Sequence, residues 1–202
     1  MHTQISLQKE NKMKSIVAFD FDGTIIDSRA RHEIVLADVL ARNKIDISVA
    51  GLVEYKRNGK NNIAFLTERG IDIDSAKKLQ AQWIAEIESD KNLMHDILYP
   101  DTIIMLNEYS ANNNLILVTA RANKSGLMQQ LARFDLQKYF SEICVVDPGV
   151  SASDAKAAIL KSRGATLMVG DTHSDRMAAE KAGIKFEFHE NGFHNKQTVM
   201  GE

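Results

Sequence analysis

The sequence predicts an α/β fold in which a five-stranded parallel sheet is covered by helices on both faces and interrupted after its first strand by an all-helical insertion. Three observations predict it. From residue 101 onward, short apolar runs of strand length alternate with segments of helical spacing, the rhythm that builds a parallel sheet. After the first such run, Ile16-Val17-Ala18-Phe19, some seventy residues carry helical spacing with no strand signal between them. That first run also ends in Asp20-Phe21-Asp22-Gly23-Thr24, which sets two carboxylates one residue apart at the carboxyl end of a buried strand. Open α/β sheets keep their active sites there.

The elements follow in order. The β-branched, apolar composition of residues 16–19 suits a buried strand. Gly23 permits a tight turn just after the second carboxylate. Ile34, Val35, Ala37, Leu40 and Ala41 fall at helical spacing, Ile63, Phe65 and Leu66 suggest a second short helix, and Ala76, Leu79, Ala81, Trp83, Ile84 and Ile87 mark a third. Beyond them, residues 103–109, 124–134, 155–161 and 174–182 read as helices, and 115–119, 143–146, 166–170 and 184–188 as strands. The predicted domains are therefore a catalytic core made of residues 13–26 and 97–202 and a helical cap at 27–96. Tyr99-Pro100 is the expected return hinge, because the residue before a proline is biased away from helix. Residues 1–12 read as a flexible polar extension, with Met13 an alternative start. The polar tail after Phe188 suggests no element.

With 202 residues the chain can bury a substantial core. Lys and Arg number 25 against 27 Asp and Glu, a formal net charge of −2, so no global basicity points to nucleic acid or an anionic membrane. No apolar run approaches the length of a membrane span, and the polar residues 1–14 lack a signal-peptide core. The single cysteine, Cys144, sits in the apolar run Ile143-Cys144-Val145-Val146 and reads as a small buried hydrophobe of a cytoplasmic protein.

Chemistry concentrates at four places. Asp20 and Asp22 close the first strand, Thr119, Ala120 and Arg121 close the second, Lys156 opens a helix, and Gly170-Asp171-Thr172-His173-Ser174-Asp175 follows the fourth strand. Neighbouring strands lie about 5 Å apart, so carboxylates at these ends repel one another unless a cation joins them. Hard oxygen ligands without His or Cys suit Mg²⁺. A lysine in the first turn of a helix opposes the macrodipole, and an anionic partner reverses that penalty. The guanidinium fork of Arg121 suits a phosphate.

In their order and spacing these four motifs resemble those of the haloacid dehalogenase-like (HAD) hydrolase superfamily, over residues 15–185. The placement of the helical block resembles that of its C1-capped, phosphoglycolate phosphatase-like members. The resemblance implies an HAD-type Rossmann-like core in which Asp20 is the nucleophile and Asp22 the general acid and base. It implies Mg²⁺ held by Asp20, Asp171 and the Asp22 backbone carbonyl, with Asp175 ligating or positioning metal-bound water. It also implies phosphate binding by Gly23, Thr119, Ala120 and Lys156. The Lys-Pro pair of many relatives is missing here, which leaves Lys161 as an alternative lysine. His173 reads as a solvated loop residue. His189 and His194, with Glu187 and Glu190, lack the spacing of a metal site.

The function expected is that of a Mg²⁺-dependent phosphatase acting on a small phosphorylated metabolite through an aspartyl-phosphate. A phosphonatase using Lys56 or Lys60 as a Schiff base and a phosphomutase are alternatives within the superfamily. A non-catalytic binding protein would normally have lost the nucleophile or the acid, and a polynucleotide phosphatase would want a basic strip for the strand. The polar stretch Tyr55-Lys56-Arg57-Asn58-Gly59-Lys60-Asn61-Asn62 reads as a loop between the first two cap helices. Its Arg57, Asn58 and Lys60, assisted by Arg29 and Arg31 at the cap entrance, are expected to meet a second anionic group of the substrate. The sequence carries no signal of oligomeric state.

Overall fold

A computed structural model describes residues 14–149 and 151–201 of the chain, so the expected extension at 1–12 lies outside the described residues. In chain order the elements are β1 (Ser15–Phe19), β2 (Ile26–Asp27), α1 (Arg29–Arg42), α2 (Leu52–Arg57), α3 (Asn62–Thr67), α4 (Ile73–Glu86), α5 (Asp90–Leu93), β3 (Ile97–Leu98), α6 (Thr102–Asn112), β4 (Asn113–Ala120), α7 (Lys124–Arg133), β5 (Phe140–Val146), α8 (Ala152–Arg163), β6 (Ala165–Gly170), α9 (His173–Ala182), β7 (Lys185–Phe188) and α10 (Lys196–Met200).

Five strands pair in parallel in the order β5-β4-β1-β6-β7, with β1 at the centre. Phe19 is in register with Leu117 of β4 on one side and Val169 of β6 on the other. The residues that follow these three strands therefore emerge side by side at one edge of the sheet. Alternation along β1 feeds two cores. Val17 and Phe19 pack with Leu115, Leu117, Leu106 of α6 and Leu127 and Leu131 of α7, whereas Ala18 packs with Ile116, Val118, Met168, Leu160 of α8 and Ala178 of α9. Both faces of the sheet are thus covered, which explains the unbroken apolar runs of β1 and β4.

The cap has its own core, in which Val35, Leu36, Val39 and Leu40 of α1 meet Leu52, Phe65, Leu66, Leu79 and Trp83. Two features of this region depart from the sequence reading. The cap is joined to the core by a two-residue antiparallel ribbon, Ile26↔Leu98 and Asp27↔Ile97, which is too short to give a periodicity. Residues 55–57 are not loop but the end of α2, whose only fully buried side chain is Leu52. One anchor in six residues leaves no amphipathic pattern, and the true turn is residues 58–61.

Candidate active site

The loop after β1 begins at Asp20, whose N–H donates to the Val169 carbonyl (2.9 Å) and so ties it to β6. Gly23 then turns with φ +79°, and a side-chain carbon there would lie 2.2 Å from Asp171 Oδ2. Only glycine allows this loop to press against the acidic loop that follows β6. Thr24 reaches the same carboxylate, its hydroxyl donating to Asp171 Oδ1 at 3.3 Å.

Asp20, Asp171 and Asp175 are buried and offer oxygens that lie within 4.8 Å of one another. Burial, then the charge of Asp175, pushes the Asp20 carboxyl up to about 7 against the opposing pull of Lys156. Burial and repulsion from Asp175 and Asp20 push Asp171 well above the usual carboxylate range. The cluster thus carries more negative charge than the protein itself neutralises.

Lys156, in the first turns of α8, donates from Nζ to Asp20 Oδ1 (2.7 Å) and Asp175 Oδ1 (2.6 Å). Burial works against its charge, but Asp175 and Asp20 outweigh burial and raise its pKa above the ordinary lysine value. Lys156 thus has anionic partners, although α8 begins at Ala152 and places it in the second turn rather than the first, so the two carboxylates and not the helix dipole account for it. The alternative, Lys161, is exposed, and Asp154 pairs with Lys181 rather than with Lys156. Asp175 serves twice. Its Oδ2 accepts from the Thr172 hydroxyl and N–H at the start of α9, completing a capping box, while its Oδ1 meets Lys156.

Asp22 lies apart from this cluster. Arg121 grips it with Nε and Nη2 (2.5 and 2.8 Å), and Arg31 of the cap adds Nη2 at 2.5 Å. Burial alone would raise its pKa, but the two guanidinium groups prevail and hold it below the usual value. Arg121, expected to bind phosphate, spends its fork on Asp22 and Gln130, and its buried Nη1 has no partner among the described residues.

A cavity of about 350 Å³ opens over the strand ends between core and cap. Asp20, Asp22, Thr119, Ala120 and Lys156 line its floor, and His32, Lys56, Lys60, Asn61, Asn62 and Gln80 its cap side. Of the five cap residues expected to meet substrate, Arg57, Asn58, Lys60, Arg29 and Arg31, only Lys60 lines it, and Lys60 pairs with Glu68. Arg29 forks onto Asp27, and Arg57 and Asn58 bond to the C-terminal segment, because the end of α2 faces that segment rather than the cavity. Lys56 and Asn62, both within the polar stretch expected over the site, line it, whereas the sequence reading did not name His32 and Gln80. Lys56 Nζ lies 2.8 Å from His32 Nδ1 and 4.3 Å from the centre of the Trp83 ring. Burial, helped by Arg31, lowers its pKa to about 7. Among the described residues, both amide atoms of the buried Asn62, Oε1 of Gln80 and Nδ1 of His194 are buried without a hydrogen-bond partner. His194 lines the cavity, while His189 packs against Tyr99, Glu187 accepts from the Tyr109 hydroxyl and His173 is exposed.

The family model described as haloacid dehalogenase-like hydrolase matches residues 17–188. The chain belongs to that family. It is an enzyme family of hydrolases, and the five-stranded core with its helical insertion is its fold. No match was found among curated proteins. Among solved structures, the chain is similar to a haloacid dehalogenase-like family hydrolase from Streptococcus pneumoniae, with a TM-score of 0.75, 18% identity and 93% of this chain and 90% of that one covered. It is also similar to a "predicted phosphatase" from Clostridium acetobutylicum (TM-score 0.70, 18% identity, 94% and 90% covered). A "predicted phosphoglycolate phosphatase" from Haemophilus somnus gives a TM-score of 0.69 at 20% identity over 94% and 90% of the two chains. At these identities the likeness is one of fold. No helix among the described residues is long and apolar enough to cross a membrane.

Proposed function

We propose that this HAD-family hydrolase is a Mg²⁺-dependent phosphatase of small phosphorylated metabolites, working through an aspartyl-phosphate on Asp20. The observation that carries the reading is the buried set Lys156, Asp20, Asp175 and Asp171, of which Lys156 and Asp20 line the floor of a cavity that Thr119 also lines. Three hard carboxylates, with no His or Cys among them and with Asp20 and Asp171 pushed upward by burial and mutual repulsion, fit a Mg²⁺ ion. When bound, the ion would neutralise this charge and polarise the phosphoryl oxygens.

Asp20 Oδ attacks phosphorus, forming the O–P bond as the ester oxygen departs with its electron pair, and water later breaks the acyl-phosphate to release inorganic phosphate. Lys156 directs the Asp20 carboxylate and offers positive charge to the transferring group. Thr119 and the Ala120 N–H lie on the opposite strand end and suit the phosphoryl oxygens. Asp22, held as an anion by Arg31 and Arg121, is in the state needed to take a proton from the attacking water. Protonating the leaving oxygen requires Asp22 to withdraw from those guanidinium groups, of which Arg31 belongs to the cap.

On the cap side, among the described residues Lys56 has no carboxylate partner and Asn62 leaves both amide atoms unsatisfied. These groups suit a substrate bearing a second anionic group and a hydroxyl beyond its phosphate. One observation favours a second reading, the phosphonatase, since a lysine amine near pKa 7 at the cavity wall can add to a carbonyl. Lys56, not Lys60, would be that amine. A cytoplasmic location is part of the proposal, supported by the single, unpaired Cys144 buried in β5.

The test is hydrolysis across a panel of phosphorylated metabolites with and without Mg²⁺, with phosphate trapped on the protein and located by mass spectrometry. Turnover in excess chelator, or phosphate on a residue other than Asp20, refutes the mechanism. Borohydride trapping of Lys56 with phosphonoacetaldehyde would replace it by the second reading.

A further inference from the structure

The chain does not end its work at β7. The His189 N–H donates to the Gly170 carbonyl (2.8 Å), which carries the backbone along the end of β6 and onto the acidic loop. Gly192 then lies so close that a side-chain carbon built on it would sit 2.1 Å from Asp171 Cβ and 2.6 Å from the Gly23 carbonyl oxygen. The next N–H, that of Phe193, donates to Asp171 Oδ2 at 2.6 Å. The Phe193 ring is buried and its centroid is 4.4 Å from that of the cap residue His32.

From there the segment crosses to the cap. The Arg57 carbonyl belongs to the last turn of α2, where intrahelical donors run out. It accepts instead from the Asn195 N–H and the Thr198 hydroxyl, both at 3.0 Å. Asn195 Nδ2 donates to Asn58 Oδ1 (2.8 Å), and Arg57 Nη1 donates back to the Gly192 carbonyl (3.0 Å). Val199, buried in α10, anchors the far end.

We infer that residues 192–198 form a strap that belongs to the active site: its Phe193 N–H orients the Asp171 carboxylate, and its Asn195 and Thr198 seat the end of α2 over the catalytic strand ends. One short segment thereby links the set of the acidic loop to the position of the cap. Arg57 and Asn58 act through this strap as positioning residues. The inference rests on the phosphatase reading only where turnover is measured.

The experiment uses the full chain with Gly192→Val, Gly192→Ala and the double variant Asn195→Ala/Thr198→Val. Three quantities are read: Mg²⁺ affinity by calorimetry, amide exchange of Asn58, Gly59 and Lys60, and kcat and KM on an aryl phosphate and on the best metabolite of the panel. Because groups that orient a metal-binding carboxylate typically change affinity by 10–100-fold, the Gly192 variants are expected to weaken Mg²⁺ binding by at least about tenfold. The double variant keeps the Phe193 contact, so Mg²⁺ affinity should hold while the three amides exchange about tenfold faster and KM for the metabolite rises by a similar factor at unchanged kcat. Unaltered Mg²⁺ affinity in a folded Gly192 variant, or unaltered exchange in the double variant, overturns the strap. If Gly192→Val does not fold, Gly192→Ala and the double variant decide alone. Strap-dependent Mg²⁺ binding in a protein that hydrolyses no phosphate ester would keep the strap and refute the phosphatase.

Discussion

Arg31 and Asp22 meet at 2.5 Å across the boundary between cap and core. They belong to a closed ring. Arg31 Nε lies 3.1 Å from Asp96 Oδ1, Asp96 Oδ2 accepts from Gln130 (2.7 Å), Gln130 Oε1 accepts from Arg121 (3.2 Å), and Arg121 returns to Asp22. Arg31, Asp96, Arg121 and Gln130 are all buried, so each charge in the ring depends on the next.

Removing Arg31 strands the buried Asp96 and leaves Asp22 to Arg121 alone, and breaking a buried pair in this way costs roughly 3–5 kcal/mol. Arg31→Met should lower unfolding stability by that order. Burial already raises Asp96 to about 6, with Arg31 the main opposing influence, so the variant raises it further. A carboxyl whose folded pKa lies above its unfolded value stabilises below the unfolded pKa and loses that contribution as pH rises through the folded one. The penalty measured by urea denaturation should therefore be smaller at pH 5 than at pH 8. An equal penalty at both would remove Asp96 from the account.

Magnesium should stabilise the folded chain in a pH-dependent way. At a hundred times its dissociation constant a ligand adds about 2.7 kcal/mol, which for a chain of this length is about 5–10 °C in Tm. Asp20 must be ionised to bind, and its pKa without metal is about 7, so the shift should be larger at pH 8 than at pH 5.5. Asp171→Asn should lose most of the shift. A shift that ignores pH or survives that substitution would place the ion elsewhere.

Lys156→Met should reduce kcat by about 10²–10³, the usual cost of removing one preorganised charge from a transition state. Its burial between Asp20 and Asp175 adds a consequence that the sequence alone did not suggest, a loss of stability in metal-free protein that Mg²⁺ partly restores. Lys161→Met, exposed at the far end of α8, should change neither. The reverse result would exchange their roles.

The parts of this molecule that were legible in the sequence are those whose signal is local. Strand ends carrying Asp20, Thr119 and Asp171 are marked by apolar runs that stop at polar residues, and register then brings them together. Lys156 was legible from its place in the order of motifs and not from a first-turn penalty, because α8 begins at Ala152. The ring was not, since Arg31 and Asp96 are separated by the whole cap and pair only once it has folded. The strap was not either, because its hold on Asp171 is a backbone N–H and its close approach an absent side chain at Gly192. Those features leave no pattern in hydropathy or charge. Arg57 and Asn58 were read as substrate ligands because a cationic turn over an acidic site invites that reading, whereas their carbonyl and amide groups serve the strap.

Substrate selection is accordingly expected at Lys56 rather than Arg57. Lys56 faces His32 of α1, Trp83 of α4 and the nearby guanidinium of Arg31, and none of these neutralises it. Its pKa of about 7 means that the free enzyme presents an ammonium below pH 7 and largely an amine above it. His32, held well below the ordinary histidine value by burial and by Lys56, stays neutral across that range. A second anionic group on the substrate would be met by the ammonium directly at pH 6, whereas at pH 8 binding must first take up a proton. KM for such a substrate should rise by about tenfold per pH unit above 7, one proton being bound with the anion, while KM for an aryl phosphate stays flat through the same interval. Lys56→Met should abolish the slope and raise KM at pH 6 by roughly 10- to 100-fold for the dianionic substrate alone, the worth of a charge-assisted hydrogen bond. A slope that persists in Lys56→Met would assign the titration to another group and leave the cap-side anion unexplained.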